Sequence, residues 1–329
     1  MKTELKFVGI DVSKNTLDIC ILDDQPKPIV VKNNKKAITK FFKTLSKNGL
    51  NNYHICAENT GKYTWLLMRI ASELDLNLYI INPLHLKRSL GLVRGKNDKI
   101  DAIRITHFIK KNHNEMSTYI AKRDIIEDLQ ILLSERRFKV LQRKQLKTKN
   151  KELLVLSNRQ LAKIIQKQNN QLLKLLNKQI TDIEKQINAR IEADVKLKAL
   201  HKQLTSIPGV GNILSWNMIV KTNEFKSITD PRKLACYAGV APFQNTSGIS
   251  VFGRNRVSNF ADKSLKKLLH MGALSAIRLQ NDLAIYYNRK VNEGKNKMSV
   301  LNAVRNKIIH IIFALIKNQT FYKNRLVTS

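Results

Sequence analysis

At 329 residues, 43% of them hydrophobic, the chain is long for a single core and sufficient for at least two modest ones. Its 59 Lys and Arg against 25 Asp and Glu give a formal net charge of +34, more than solubility needs and of the sign that phosphate backbones attract, so a nucleic-acid partner is expected even after allowance for a Lys-, Asn- and Ile-rich composition. Cys20, Cys56 and Cys236 match neither a disulfide framework nor a zinc pattern, and the seven histidines include no HExxH or HxH pair, which argues against structural zinc and for a reducing cytosol.

The first 115 or so residues alternate strand and helix signals. "LKFVGIDVS" and "TLDICILD" are β-rich runs joined at the polar turn Ser13-Lys14-Asn15, and "PIVVK" adds a third strand after Pro26 and Pro28. Asn34 is placed to cap a helix over Lys35 to Lys47, with Ile38, Phe41, Phe42 and Leu45 at helical spacing and the Asn48-Gly49 pair ending it. "YHICAE" forms a fourth strand, followed by a helix over about Lys62 to Leu74, a fifth strand "NLYII" and a helix opened by Pro83. Three hairpin-linked strands followed by strands alternating with helices suggest a ribonuclease-H-like α/β layout.

From Asp124 to Leu204 there is neither Pro nor Gly, and the pattern is long helix. Leu173, Leu176, Ile180, Ile183 and Ile187 repeat at a 3-4-3-4 spacing, the seam of a coiled coil. An unbroken helix here would run ~120 Å, and a break at Ser157-Asn158 or Asn169-Asn170, folding it into a hairpin, fits the pattern equally. Dimerisation along the seam is favoured over an intramolecular bundle. "SIPGVG" then reads as the turn of a helix-hairpin-helix element, in which Gly209 and Gly211 would let backbone N–H groups approach a phosphate. "QNTSGISVFGRNRVS" is a polar loop or hairpin, and basic helices run from Asp262 onward. No apolar stretch is expected to reach the length needed to span a bilayer and the N-terminus lacks a signal peptide's apolar core, so a soluble cytoplasmic protein with no membrane partner is expected.

Asp11 ends the first strand and Glu58 the fourth, which should lie side by side. "KNDKIDAIRI" opens a helix with Asp98 and Asp101 three residues apart on one face. The bland explanation is a helix-dipole preference for acids. Four carboxylates gathered from two strand ends and a helix would repel one another unless a cation neutralised them, and hard oxygen donors suit Mg²⁺ or Mn²⁺ in phosphodiester chemistry.

"FVGIDVSKNTLDICILD", "AENTGKYTWLL", "INPLHLKRSLGLVRGKNDKIDAIRI" and "SIPGVG" followed by "KLACYAGVAPFQNTSG" together resemble the insertion sequence 110 family of transposases, in the family's order and over nearly the whole chain. The resemblance implies a RuvC-like Asp-Glu-Asp-Asp domain over 1–120, a helical coiled-coil linker and dimerisation region over 121–203, and a C-terminal transposase domain over 204–329. It implies catalytic and metal-binding roles for Asp11, Glu58, Asp98 and Asp101, and makes Ser247 of "NTSG" the nucleophile. It further implies a structured bridge RNA that pairs with target and donor DNA, Mg²⁺ as cofactor, and a homodimer or homotetramer acting at the nucleoid of a prokaryotic cell. From the residues themselves, Ser247 reads as a turn serine, and Arg254 and Arg256 as backbone-phosphate clamps. Where the family shows a Lys, a Gly-Asn pair and then an Arg on the next helix, this chain has Asn259, Ala261, Asp262 and Lys266, and Lys holds a phosphate only as a point charge.

The expected activity is RNA-guided strand exchange through a covalent serine–DNA link. The rivals are a RuvC-like nuclease or junction resolvase in which Ser247 is structural, and a noncatalytic basic coiled-coil binder.

Overall fold

The structure, a computed structural model, describes residues 5–22, 25–46, 52–89, 91, 97–155, 159–247 and 251–324. The chain divides into two compact units, Met1–Ala121 and Lys122–Ser329, so the central helices belong to the second unit.

The first unit is a five-stranded sheet in the order β3-β2-β1-β4-β5, with β1 Lys6–Val12, β2 Thr16–Leu22, β3 Pro26–Lys32, β4 Tyr53–Glu58 and β5 Leu78–Ile81. β1, β2 and β3 run antiparallel, while β4 and β5 run parallel to β1. This is the ribonuclease-H-like arrangement. The two prolines of β3 lie on the sheet edge, where a missing N–H costs no ladder bond.

Strand alternation sorts the side chains onto two faces. Val8, Ile10, Leu17, Ile19, Ile55 and Leu78 pack against Ile38 and Phe42 of α1 (Lys35–Ser46) and Leu67 and Ile70 of α2 (Trp65–Glu73). Asn34 caps α1, its Oδ1 accepting from Ala37 N at 2.9 Å. On the other face Phe7, Cys56, Tyr79 and Ile81 meet Leu86 of α3 (Pro83–Ser89) and Ile105, Phe108 and Ile109 of α4 (Asp98–Asn112).

Gly9 fixes where α4 crosses. A Cβ at this position would fall on the carbonyl oxygen of Ala102 and on N and Oγ1 of Thr106. The Thr106 hydroxyl lies 2.8 Å from Ala102 O and 3.2 Å from Cys20 O, bonding the helix to the strand below. Gly9→Ala is therefore expected to destabilise the first unit by about 1–3 kcal/mol, because α4 must lift off β1. Hydrogen exchange at β1 and α4 amides measures this, and unchanged protection would contradict the close crossing.

The second unit contains α5 Asp124–Leu154, α6 Gln160–Ala193, α7 Val195–Thr205, α8 Asn212–Lys221, α9 Pro231–Tyr237, strands β6 Pro242–Ser247 and β7 Val251–Val257, α10 Lys263–Ala276, α11 Asp282–Asn292 and α12 Lys297–Asn318. α5 and α6 pack antiparallel. Arg136 Nε donates to Glu184 at 2.7 Å, Arg143 Nη1 to Asn177 at 3.0 Å and Asn150 Nδ2 to Asn170 at 2.9 Å. The hairpin alternative is thus the one adopted: Asn169-Asn170 lie inside α6, and Ser157-Asn158, between the end of α5 and the start of α6, lie outside the described residues. Leu176, Ile180, Ile183 and Ile187 are buried within the single chain. At the base, Arg123 binds Asp194 and Glu224, each at 2.6 Å.

α12 corrects the expectation that no apolar stretch is long enough to span a bilayer. By length and composition alone an 18-residue window of it is, with mean hydropathy 1.4. Its Val300, Leu301, Val304, Ile308, Ile309 and Ile312 are nonetheless buried in the core of the second unit, where an apolar helix is equally at home.

Candidate active site

Two registers assemble the acids. β1 pairs with β4 through Ile10 and Ala57, so the next residues along these parallel strands, Asp11 and Glu58, are neighbours. Across the antiparallel hairpin Asp11 sits directly opposite Asp18. Asp18, Asp11 and Glu58 therefore form a row across β2, β1 and β4. Two residues from Asp11, at Gly9, α4 is pressed against the sheet, and its first turn carries Asp98 and Asp101. Asn97 caps that turn, its Oδ1 accepting from Lys99 N at 3.1 Å.

The cluster is electrostatically crowded. Asp11 is pushed up to about 6, by burial first and then by Glu58, Asp98, Asp101 and Asp18. Burial and then Asp98 also raise Asp18, while Lys99 opposes them. Arg104 Nη1 meets Asp101 at 2.8 Å, partly answering the negative charge. All four carboxylates singled out in the sequence thus share one field with Asp18, which sequence reasoning missed. Its signal was the tight turn after β1: Ser13 N bonds Thr16 O at 2.9 Å, which fixes the pairing of residues 11 and 18.

Oxygen donors in this number are the set a hard divalent cation takes, and Asp11, Glu58, Asp98 and Asp101 could hold one. As the side chains are oriented, no three acids among the described residues stand ready to chelate a single ion, so rotamer changes would accompany binding.

The remaining candidates lie in the second unit. Ser247 is the last residue of β6, paired with Val251, and its side chain, like that of Arg254, lies outside the described residues. Arg256 is exposed on β7 opposite Phe243. α7 and α8 flank the turn containing Gly209 and Gly211. Gly209 (φ +83°) abuts the carbonyl of Gly272 on α10, so helix packing accounts for this glycine, whereas Gly211 is open at the start of α8.

Comparison with known proteins adds the family. A model described as "Transposase" of the Asp-Glu-Asp-Asp IS110 type matches residues 8–159, and one described as "Transposase IS116/IS110/IS902 family" matches residues 201–288. The chain belongs to the IS110 family of transposases. It is 25% identical over 327 residues to the pilin gene-inverting protein of Moraxella lacunata, covering 97% of this chain and 98% of that one. It is 24% identical to the transposase for insertion sequence element IS1111A of Coxiella burnetii, covering 97% of this chain and 92% of the relative. A solved Thermus thermophilus RuvC bound to a Holliday junction substrate aligns with 35% of this chain and all of its own at 13% identity, with a TM-score of 0.27.

Within this IS110-family enzyme the unusual residues around α10 have structural reasons. Asp262 caps α10, accepting from Ser264 N and Leu265 N at 2.9 Å, and is bound by Lys221 and, at 3.1 Å, by Tyr237 Oη. Lys221 and these donors outweigh burial and hold its carboxyl far below the usual range. Ala261 packs against Gly239, where a second Cβ would collide with it.

Asp11 also makes the acid site pH-sensitive. Its carboxyl has an ordinary value of 3.8 and is raised to about 6 in the fold, so the native state holds the proton more tightly. That contribution is fully present below about pH 4 and is lost as pH rises through 6, amounting to about 3 kcal/mol at most. Chelator-treated protein should therefore lose stability over that window. Mn²⁺ should raise the melting temperature of the first unit by several degrees at pH 7.5 and hardly at pH 4.5, because proton and cation compete. A metal effect independent of pH would disprove the coupling.

Proposed function

We propose that this transposase is an RNA-guided DNA recombinase that works through a covalent serine–DNA link. The observation carrying the reading is the row of acids under the first turn of α4, where burial and then the neighbouring carboxylates raise Asp11 to about 6. Such crowding needs a counter-cation, and Mg²⁺ bound there would ease removal of the serine proton and offset charge on the leaving oxygen. Asp11, Glu58, Asp98 and Asp101 would hold the ion. The Ser247 Oγ–H bond breaks as Oγ–P forms, and the displaced DNA oxygen leaves carrying a proton. The hydroxyl of the partner strand then attacks the phosphoserine, the new DNA bond forms and serine is released.

The serine's role rests on the family resemblance, and the wide relation to a gene-inverting protein supports rejoining over hydrolysis. Inversion must reseal every strand it cuts, and a phosphoserine conserves the bond energy that hydrolysis loses. A structured bridge RNA pairing with target and donor DNA would supply sequence choice while the protein contacts shape and backbone. The net charge of +34 suits both polymers. A homodimer or homotetramer, acting in the cytoplasm at the nucleoid, completes the reading.

The test is to incubate protein and co-purified RNA with labelled DNA in Mg²⁺ or EDTA and run denaturing gels. A metal-dependent, protease-sensitive protein–DNA band is expected. Free nicked ends alone would favour the RuvC-like nuclease, and no cleavage under any divalent ion would favour the noncatalytic binder.

A further inference from the structure

Arg305, in the middle of α12, is only 7% exposed. A buried guanidinium normally rests on a carboxylate, because an unanswered charge in the interior is costly. Here α10 and α12 contain no acidic residue at all. The hydrogen bonds of Arg305 go to neutral groups instead: Nη2 stands 2.6 Å from His270 Nδ1, and Nη1 stands 3.4 Å from Asn302 Oδ1. Its Nε is buried without a hydrogen-bond partner. Because Arg305 can only donate, His270 must accept at Nδ1, which leaves the imidazole neutral with its proton on Nε2.

A second cation stands beside this pair. Lys266 lies one helical turn before His270 on the same face of α10. Its stem passes Gly239, where a built Cβ would stand 3.7 Å from Lys266 Cδ. Burial and then Arg305 lower both Lys266 and His270. Asp262, at the start of α10, is already engaged by Lys221, Tyr237 and the helix N-terminus. On the far side Asn302 Nδ2 donates to Val240 O at 2.8 Å, which ties α12 to the turn two residues before β6. The cluster therefore sits at the root of the hairpin that ends in Ser247.

We propose that Lys266, His270 and Arg305 form a binding site for one phosphodiester group of a nucleic-acid backbone. Arg305 supplies the planar fork, Lys266 a point charge and His270 a neutral N–H donor. The guanidinium on α12 thereby provides what the lysine at position 266 cannot. The proposal deepens the recombinase reading, in which this hairpin works on a nucleic-acid strand, and its test needs no catalysis.

Anisotropy titrations of the full chain would use one duplex DNA and one single-stranded RNA of the same sequence over a series of salt concentrations. Lys266→Gln should weaken binding roughly tenfold at 100 mM salt and reduce the log–log salt slope by about one on the polymer that occupies the site. Lys266→Arg should match or exceed the parent. Lys263→Gln, on an exposed residue of the same helix, is the control and should change affinity by less than about twofold. Loss on DNA alone, RNA alone or both supports the site and identifies its source. Equal losses for Lys263→Gln and Lys266→Gln, or none for Lys266→Gln, overturn it. Arg305→Gln should be at least as severe, but burial exposes it to misfolding, so the Lys266 variants decide. A protein that passes this test yet forms no covalent adduct would keep the phosphate site and lose the serine mechanism, and the reverse pattern would do the opposite.

Discussion

Asp11→Asn is expected to cut strand cleavage by roughly a thousandfold while making the metal-free protein more stable. The two effects have one origin. At neutral pH the native fold holds Asp11 ionised beside Glu58, Asp98, Asp101 and Asp18, although its carboxyl titrates only at about 6. Replacing that charge with an amide of similar size removes a burial cost and a repulsion together worth about 3 kcal/mol at most, so the first unit should melt roughly 5 °C or more higher in EDTA at pH 7.5. The same repulsion is what makes a divalent cation welcome. Losing one anionic ligand forfeits several kcal/mol of charge stabilisation at the reacting phosphate, and each 1.36 kcal/mol is about tenfold in rate. Cleavage assays and melting curves on the same preparation check both halves. Lower activity with a lower melting temperature would mean that Asp11 supports the fold rather than the chemistry.

Ser247→Ala is expected to abolish the covalent protein–DNA band while leaving RNA and DNA binding within about twofold of the parent. The substitution removes one oxygen at the end of a two-stranded hairpin, where changes are usually worth under about 0.5 kcal/mol, so misfolding is a poor explanation for any loss. Without the hydroxyl no phosphoserine can form. Denaturing gels after protease treatment report the link directly, and filter binding reports retention of both polymers. If the variant cuts DNA at the parental rate and leaves free ends, water is the nucleophile and Ser247 is a turn residue.

Much of the acid site could be read from local signals. Alternation along "VGIDVS" and "YHICAE" placed Asp11 and Glu58 at strand ends, and the 98/101 spacing put two more acids on one helix face. Asp18 escaped because, between Leu17 and Ile19, it reads as the outward polar residue of a half-exposed strand. Only the cover supplied by α4 makes that face interior, and cover is a tertiary fact. The seam from Leu173 to Ile187 was legible as a seam but not as an intramolecular one, since an a/d stripe has the same period whether its partner is its own chain or another. For α12, composition gave length and apolarity and could not distinguish lipid from protein as the surroundings. Arg305 carried no sequence signal, because its meaning comes from the acids that its neighbours lack.

The paired helices α5 and α6 meet again at their base, where Arg123 joins Asp194 and Glu224, while the polar rungs higher up, Arg136 with Glu184 and Arg143 with Asn177, sit in register. Removing seven residues from each helix at matched heights would preserve the apolar stripe and leave the base untouched, yet shorten the pair by ~10 Å. Length is therefore a quantity that can drift by whole heptads without penalty to the fold beneath it. A hairpin of this kind behaves as a graduated spacer, one that insertion and deletion could reset in steps while the chemistry elsewhere in the chain stayed unchanged.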